Sequence, residues 1–249
     1  MNKLHKRRKA TLLGLCQVLW AMLLTGHTPS LAGSFQVSPV GIQMTARERA
    51  AALHLSNTGH QALMLQAEVM HWSQDAEGQD RLEPSNDLVL SPPVIVLPPG
   101  ASQVVRLARL VPYHPDQGQS YRLIVREARP QGMVEQDMGQ IPVLLGMSLP
   151  VLLLPPRPVR KLACEAQATH ATRLTLFCTN EGNAVVRVVR IALGPPSEPL
   201  ARFEGAAYWL PGSHHRLDLQ SMEPIATGPH PLTVWFDDDQ TTLLNITVR

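Results

Sequence analysis

Few residues in this chain are placed to do chemistry. His214-His215 and Asp237-Asp238-Asp239 are the runs richest in metal-ligating side chains. Neighbours on a strand point to opposite faces, so neither run makes a chelating face by itself. A solvated turn accounts for each. The sequence holds no Gly-x-Ser-x-Gly elbow, no phosphate-binding glycine loop and no His-Glu-x-x-His pair. The expectation is a chain that is not an enzyme and that takes no metal or other cofactor. Cys164 and Cys178 are the remaining candidates, since Cys16 lies in the N-terminal apolar run. A metal would need two further ligands, so in an oxidising compartment the pair reads as a disulfide. Closing a loop of that length is worth about 3 kcal/mol.

The compartment follows from the N-terminus. Lys3, Lys6, Arg7, Arg8 and Lys9 precede an apolar run from Ala10 to about Gly26. Pro29 and the small-residue stretch Ser30-Leu31-Ala32 come next. That order predicts a secretory signal peptide over 1–32, cleaved after Ala32, and an exported, periplasmic protein. Taking those five charges from the net +2 leaves about −3 for the mature chain. No Lys/Arg block survives that would suggest nucleic acid. No later run reaches the ~18 apolar residues of a spanning helix, so no stable membrane insertion is expected.

These residues must be positioned by strands. The apolar segments are short and alternating, with turn residues every 8–12 positions, which is the period of sandwiches and barrels. The 22 prolines would break most helices. Strands are expected over 35–44, 50–56, 63–72, 88–96, 103–110, 121–128 and 140–153. A Pro-rich hinge, Pro155-Pro156-Arg157-Pro158, follows. A second series then covers 159–167, 173–179, 184–193, 206–210, 215–219, 232–236 and 241–248. The fold class is therefore all-β, with two immunoglobulin-like β-sandwiches. The first spans 33–154, the hinge 155–158 and the second 159–249. Trp72 on the third strand and Tyr121 opening the sixth occupy positions where such folds bury a Trp and form a tyrosine corner.

The seventh strand is the informative one. Its odd positions are Ile141, Val143, Leu145, Met147, Leu149, Val151 and Leu153, all large and apolar. Pro142 and Pro150 lack the N–H that a central strand would use, which argues for an edge. A long apolar edge is an aggregation hazard that proteins normally blunt. Leaving it open suggests that pairing with another chain is its job. An ordinary core strand with one partly covered face stays open as the other reading.

Several motifs carry a resemblance. They are Leu90-Ser91-Pro92-Pro93, Pro99-Gly100-Ala101-Ser102-Gln103-Val104-Val105-Arg106-Leu107, Ser120-Tyr121-Arg122-Leu123-Ile124-Val125-Arg126-Glu127, Ser148-Leu149-Pro150-Val151 and Tyr208-Trp209-Leu210-Pro211-Gly212-Ser213. In this order, the mature chain resembles the periplasmic chaperones of the chaperone–usher pathway, the archaic branch more than the classical one. The resemblance implies a non-catalytic factor that completes unfinished pilus subunits with its seventh strand, a case of strand addition. Ile141, Val143, Leu145, Met147 and Leu149 would be the subunit-facing row. The implied partners are pilus subunits and an outer-membrane usher, with self-association through the same edge also in view. The family's anchoring Arg and Lys are absent: Gly41 stands where the Arg would, and Leu149-Pro150-Val151 covers the Lys region. Arg122, and next Arg106, are the candidate cations for a subunit's terminal carboxylate. A structural pilin-like or adhesive sandwich is the alternative function.

Overall fold

The computed structural model describes residues 35–114, 116–128 and 144–249, and every regular element among them is a strand. The expected signal segment, Ile141 and Val143 lie outside the described residues.

The first sandwich is built from ten strands. They are Phe35–Ser38 (β1), Ile42–Met44 (β2), Ala50–Asn57 (β3), Leu63–Gln74 (β4), Asp80–Pro84 (β5), Leu88–Ser91 (β6), Val94–Leu97 (β7), Ser102–Arg109 (β8), Gln119–Ala128 (β9) and Gly146–Leu153 (β10). One sheet runs β1-β3-β8-β6, and the other runs β2-β10-β9-β4-β5 with β7 also on β4. Seven runs became ten strands for two reasons. The runs 35–44 and 88–96 each cross from one sheet to the other at a proline, Pro39 or Pro92, where the chain has no N–H to continue a ladder. And β5 is exposed at all five positions, so it carries no apolar alternation to read. The core between the sheets takes alternate residues: Leu53 and Leu55, Leu63 through Val69 at odd positions, Val105 and Leu107, Leu123 and Val125, and Leu149, Val151 and Leu153.

The second sandwich follows with Leu162–His170 (β11), Arg173–Asn180 (β12), Val186–Leu193 (β13), Ala201–Trp209 (β14), His214–Gln220 (β15), Gly228–Phe236 (β16) and Thr241–Val248 (β17). Its seven strands form one ladder, β14-β13-β16-β17-β11-β12-β15. The ladder curls until its two end strands meet at a bridge between Ala201 and Ser221. Trp209, Leu176, Val188, Ile191 and Val234 fill the interior. Cys164 and Cys178 stand directly opposite on β11 and β12 and form the expected disulfide. Among the described residues no helix is long and apolar enough to cross a membrane.

Candidate functional site

Among the described residues, the outer half of β10 is where the first sandwich is left incomplete. Antiparallel pairing with β9 sets Met147 opposite Val125 and Leu149 opposite Leu123. The Glu127 N–H donates to the Leu145 carbonyl at 2.8 Å. In such a ladder the main-chain groups alternate sides, so the odd positions of β10 bond to β9 and the even ones point away. The groups that point away meet a partner only at the hinge end. There β2 pairs in parallel with 151–153, and the Leu154 N–H donates to the Met44 carbonyl at 2.8 Å. Along 146–150 no described strand covers that side. The N–H and C=O groups of Gly146 and Ser148 therefore form an open edge. Pro150 ends it in the register where its missing N–H faces outward and costs no ladder bond.

Across from this edge runs β1, which among the described residues pairs only with β3. The gap between β1 and β10 is an open groove of about 340 Å³, lined by Phe35, Val37, Ser38, His54, Ser56 and Met147. Outside that lining, Gly41 abuts β10: a Cβ there would sit 3.2 Å from Cγ of Pro150. The side chains along β10 grade from sealed to accessible. Leu149 is 3% exposed, within the domain's own core. Met147 is half-buried against that core, and Leu145 is half-buried as well.

The structure separates the two arginine candidates. Arg122 lies on β9 in register with Pro150. Its guanidinium is 3.7 Å from the centre of the Trp72 ring and 5.3 Å from that of Tyr208. Its Nη2 is 3.6 Å from Asp80 Oδ2. Burial lowers the Arg122 pKa, while Asp80 and Tyr208 oppose that shift. Arg106 is exposed on β8, with the core-facing Val105 and Leu107 on either side. It therefore points outward from the four-stranded sheet, the sheet to which β10 does not belong.

Trp72 is buried, but not in the sandwich core. On β4 the core takes Leu63, Leu65, Ala67 and Val69, so Trp72 has the opposite parity and faces outward. The second sandwich covers it: Trp72 clusters with Leu152 and Leu210, against Leu154, Val185 and Tyr208. Gln74, two residues on, joins the same contact. Its Oε1 accepts from the Leu210 N–H at 3.0 Å, and its Nε2 donates to the Tyr208 carbonyl at 2.9 Å. Asn183 ties the hinge from the other side, accepting from the Val159 N–H and donating to the carbonyls of Asp116 and Arg157. The sequence reading missed Gln74 and Asn183. The parity of Trp72 was the available signal for the contact. Tyr121 is buried as expected, yet its hydroxyl donates to Asp87 Oδ2 at 2.9 Å, far upstream in the chain. A tyrosine corner would have bonded nearby backbone.

The other tempting runs have local explanations. Asp237 and Asp238 pair with Arg187 and Arg160. His214 meets the Thr179 hydroxyl at 2.9 Å. Among the described residues no group of three or more His, Cys, Asp or Glu converges as a metal site.

Comparison with known proteins agrees with this layout. Residues 34–158 match the family described as pili and flagellar-assembly chaperone, PapD N-terminal domain. A chain of the CsuC–CsuE chaperone–tip adhesion subunit pre-assembly complex, from archaic chaperone–usher Csu pili of Acinetobacter baumannii, has a similar fold. It matches with a TM-score of 0.61 at 22% identity, covering 87% of this chain and 99% of that one. The class 5 fimbriae chaperone CfaA matches with a TM-score of 0.56 at 12% identity, over 86% of this chain and 99% of its own. A chain of the Salmonella enterica SafA pilin–SafB chaperone complex gives 0.54 at 14% identity, over 88% and 97%. No curated protein sequence matches.

Proposed function

The chain belongs to the family of pili and flagellar-assembly chaperones, and from that premise we propose that it holds a pilus subunit on the open edge of β10. The observation that carries this reading is the stretch 146–150, paired with β9 on one side and with no described strand on the other, beside the groove under β1. An extended subunit strand laid there would take main-chain hydrogen bonds from Gly146 and Ser148. Leu145 and Met147, with Ile141 and Val143 before them, supply the apolar row, and Leu149 closes it at the core. Similar chains come from complexes with a tip adhesion subunit and with a pilin. The family is one of assembly factors rather than enzymes. An exported chain, freed of residues 1–32, would work in the periplasm and hand its subunit to an outer-membrane usher.

The reading is tested with Leu145→Asp/Met147→Asp. Both side chains are half-buried, so the variant keeps its fold while two charges enter the proposed contact. Co-expressed with a pilus subunit, wild type should co-purify with it from the periplasm and the variant should not. Equal recovery of subunit by a folded variant would falsify the reading. The terminal carboxylate is a separate question. Arg122 is already engaged by Asp80, so a carboxylate reaching it must exchange with that group. Wild-type affinity of an Arg122→Ala protein for a subunit's C-terminal peptide would remove Arg122 as the anchor.

A further inference from the structure

The two sandwiches meet again away from the donor edge, where the turn 75–79 between β4 and β5 lies over His215. The imidazole is stacked on Trp209, with ring centres 4.7 Å apart and planes at 12°. Its Nε2 is 2.9 Å from Ser213 Oγ. That hydroxyl has one hydrogen and donates it to the buried Leu210 carbonyl at 2.7 Å. It can only accept from His215, so the neutral ring carries its proton on Nε2 and Nδ1 is bare. Over Nδ1 sits Gly78 of the first sandwich, so close that a Cβ there would be 2.9 Å from Nδ1 and 2.5 Å from the His214 carbonyl. Gly78 adopts φ 77°, and its N–H is turned to the Asp75 carbonyl.

We infer that this turn and His215 form an acid-sensitive clamp between the two sandwiches, closed while the imidazole is neutral and released when Nδ1 takes a proton. A proton on Nδ1 places a charge beneath the closely packed backbone of Gly78, where the neutral ring had none. Of the charged and titratable groups on the elements packed against the ring, Glu77 is exposed in the turn itself, and the others are already engaged. Asp80 is held by Gln74 Nε2 and Arg122. Asp75 pairs with Arg81, and Arg216 with Asp218. His214 beside it adds repulsion, and Cys178 across on β12 is in the disulfide. His215 is partly buried, so the new charge is fully solvated only when the turn lifts. Burial accordingly pushes the His215 pKa down from 6.5 to about 4, with Asp80 opposing and His214 adding to the shift. The folded value lies below the unfolded one. The clamp is therefore at full strength above about pH 6.5 and weakens as pH falls toward about 4.

Hydrogen exchange of the full chain tests this, read at amides 75–79 and corrected for intrinsic rate, with the Leu176 amide in the second core as a reference for global unfolding. Wild type should lose about tenfold in protection at 75–79 between about pH 7 and about pH 4.5, while Leu176 stays protected. His215→Gln keeps the donor to Ser213 and cannot titrate, so its loss should stay under about twofold. Gly78→Ala cannot seat its Cβ and should be unprotected at both pH values. The same acid loss in wild type and His215→Gln overturns the clamp and shifts the effect to the turn's own carboxylates. Flat protection in wild type overturns it outright. None of these outcomes depends on a subunit being bound.

Discussion

The two sandwiches solve the same edge problem in opposite ways. The second curls its ladder until β14 and β15 meet at Ala201 and Ser221, leaving its end strands side by side. Among the described residues the first stops short, with β1 and β10 on either side of an open groove. Free edges invite pairing with other chains, so the difference marks where this molecule expects a partner. The contrast recurs within β10. Its hinge half is paired on both sides and sealed, while its outer half is paired on one side and half-open.

The sharpest way to break that comparison is at Leu149 and Met147, two residues apart on one strand. Leu149→Ala opens a cavity in a closed core and should cost about 2–5 kcal/mol. Met147→Ala removes a side chain that is only partly buried and should cost about 1 kcal/mol or less. Urea unfolding of both proteins measures the pair. Equal costs would mean that the outer half is as sealed as the hinge half.

A second test addresses the closed sandwich. Cys164→Ala/Cys178→Ala releases the tie between β11 and β12 and should lower stability by about 3 kcal/mol. Subunit recovery, measured at a temperature where the variant is still folded, should stay at the wild-type level. Loss of recovery by a folded variant would show that the second sandwich shapes the donor edge directly.

Between the two lies the Trp72 contact, and Gln74→Leu measures it. The change leaves the Leu210 N–H and the Tyr208 carbonyl without partners, at a cost of about 1–3 kcal/mol. Thermal unfolding followed by calorimetry should become broader or split as the sandwiches uncouple. A single transition at the wild-type temperature would leave the contact with no energetic role.

Much of this layout was legible in the chain, and the rest was hidden for identifiable reasons. Alternation over 50–56, 63–72 and 121–128 reports strands buried on one face, and those strands formed where expected. The β5 strand has no buried face, so its residues carry no pattern. Pro39 and Pro92 were visible as breaks, but a break does not say that the chain will change sheets. The open edge could be inferred from Pro150, because a missing N–H constrains one side of one strand. Arg122 could not be settled that way. Its surroundings, Trp72, Asp80 and Tyr208, come from distant parts of the chain and meet only once the second sandwich packs on the first.

The smallest expected effect is at Gly41, which abuts Pro150 of β10. The added Cβ of Gly41→Ala would lie 3.2 Å from Cγ of Pro150 and 3.7 Å from its carbonyl oxygen. That is tight, but the near atom belongs to a ring that can change pucker. Gly41 is also not among the glycines with positive φ, so alanine fits the backbone. Reduced freedom of the unfolded chain should return about 0.4–1 kcal/mol. The two terms nearly cancel, and the midpoint in urea should move by less than the equivalent of about 0.5 kcal/mol. A large loss would mean that Gly41 and Pro150 are held rigidly against each other. A null result would mean that the Pro150 ring yields by a few tenths of an ångström, so that this stretch of β10 is not rigidly held from the Gly41 side.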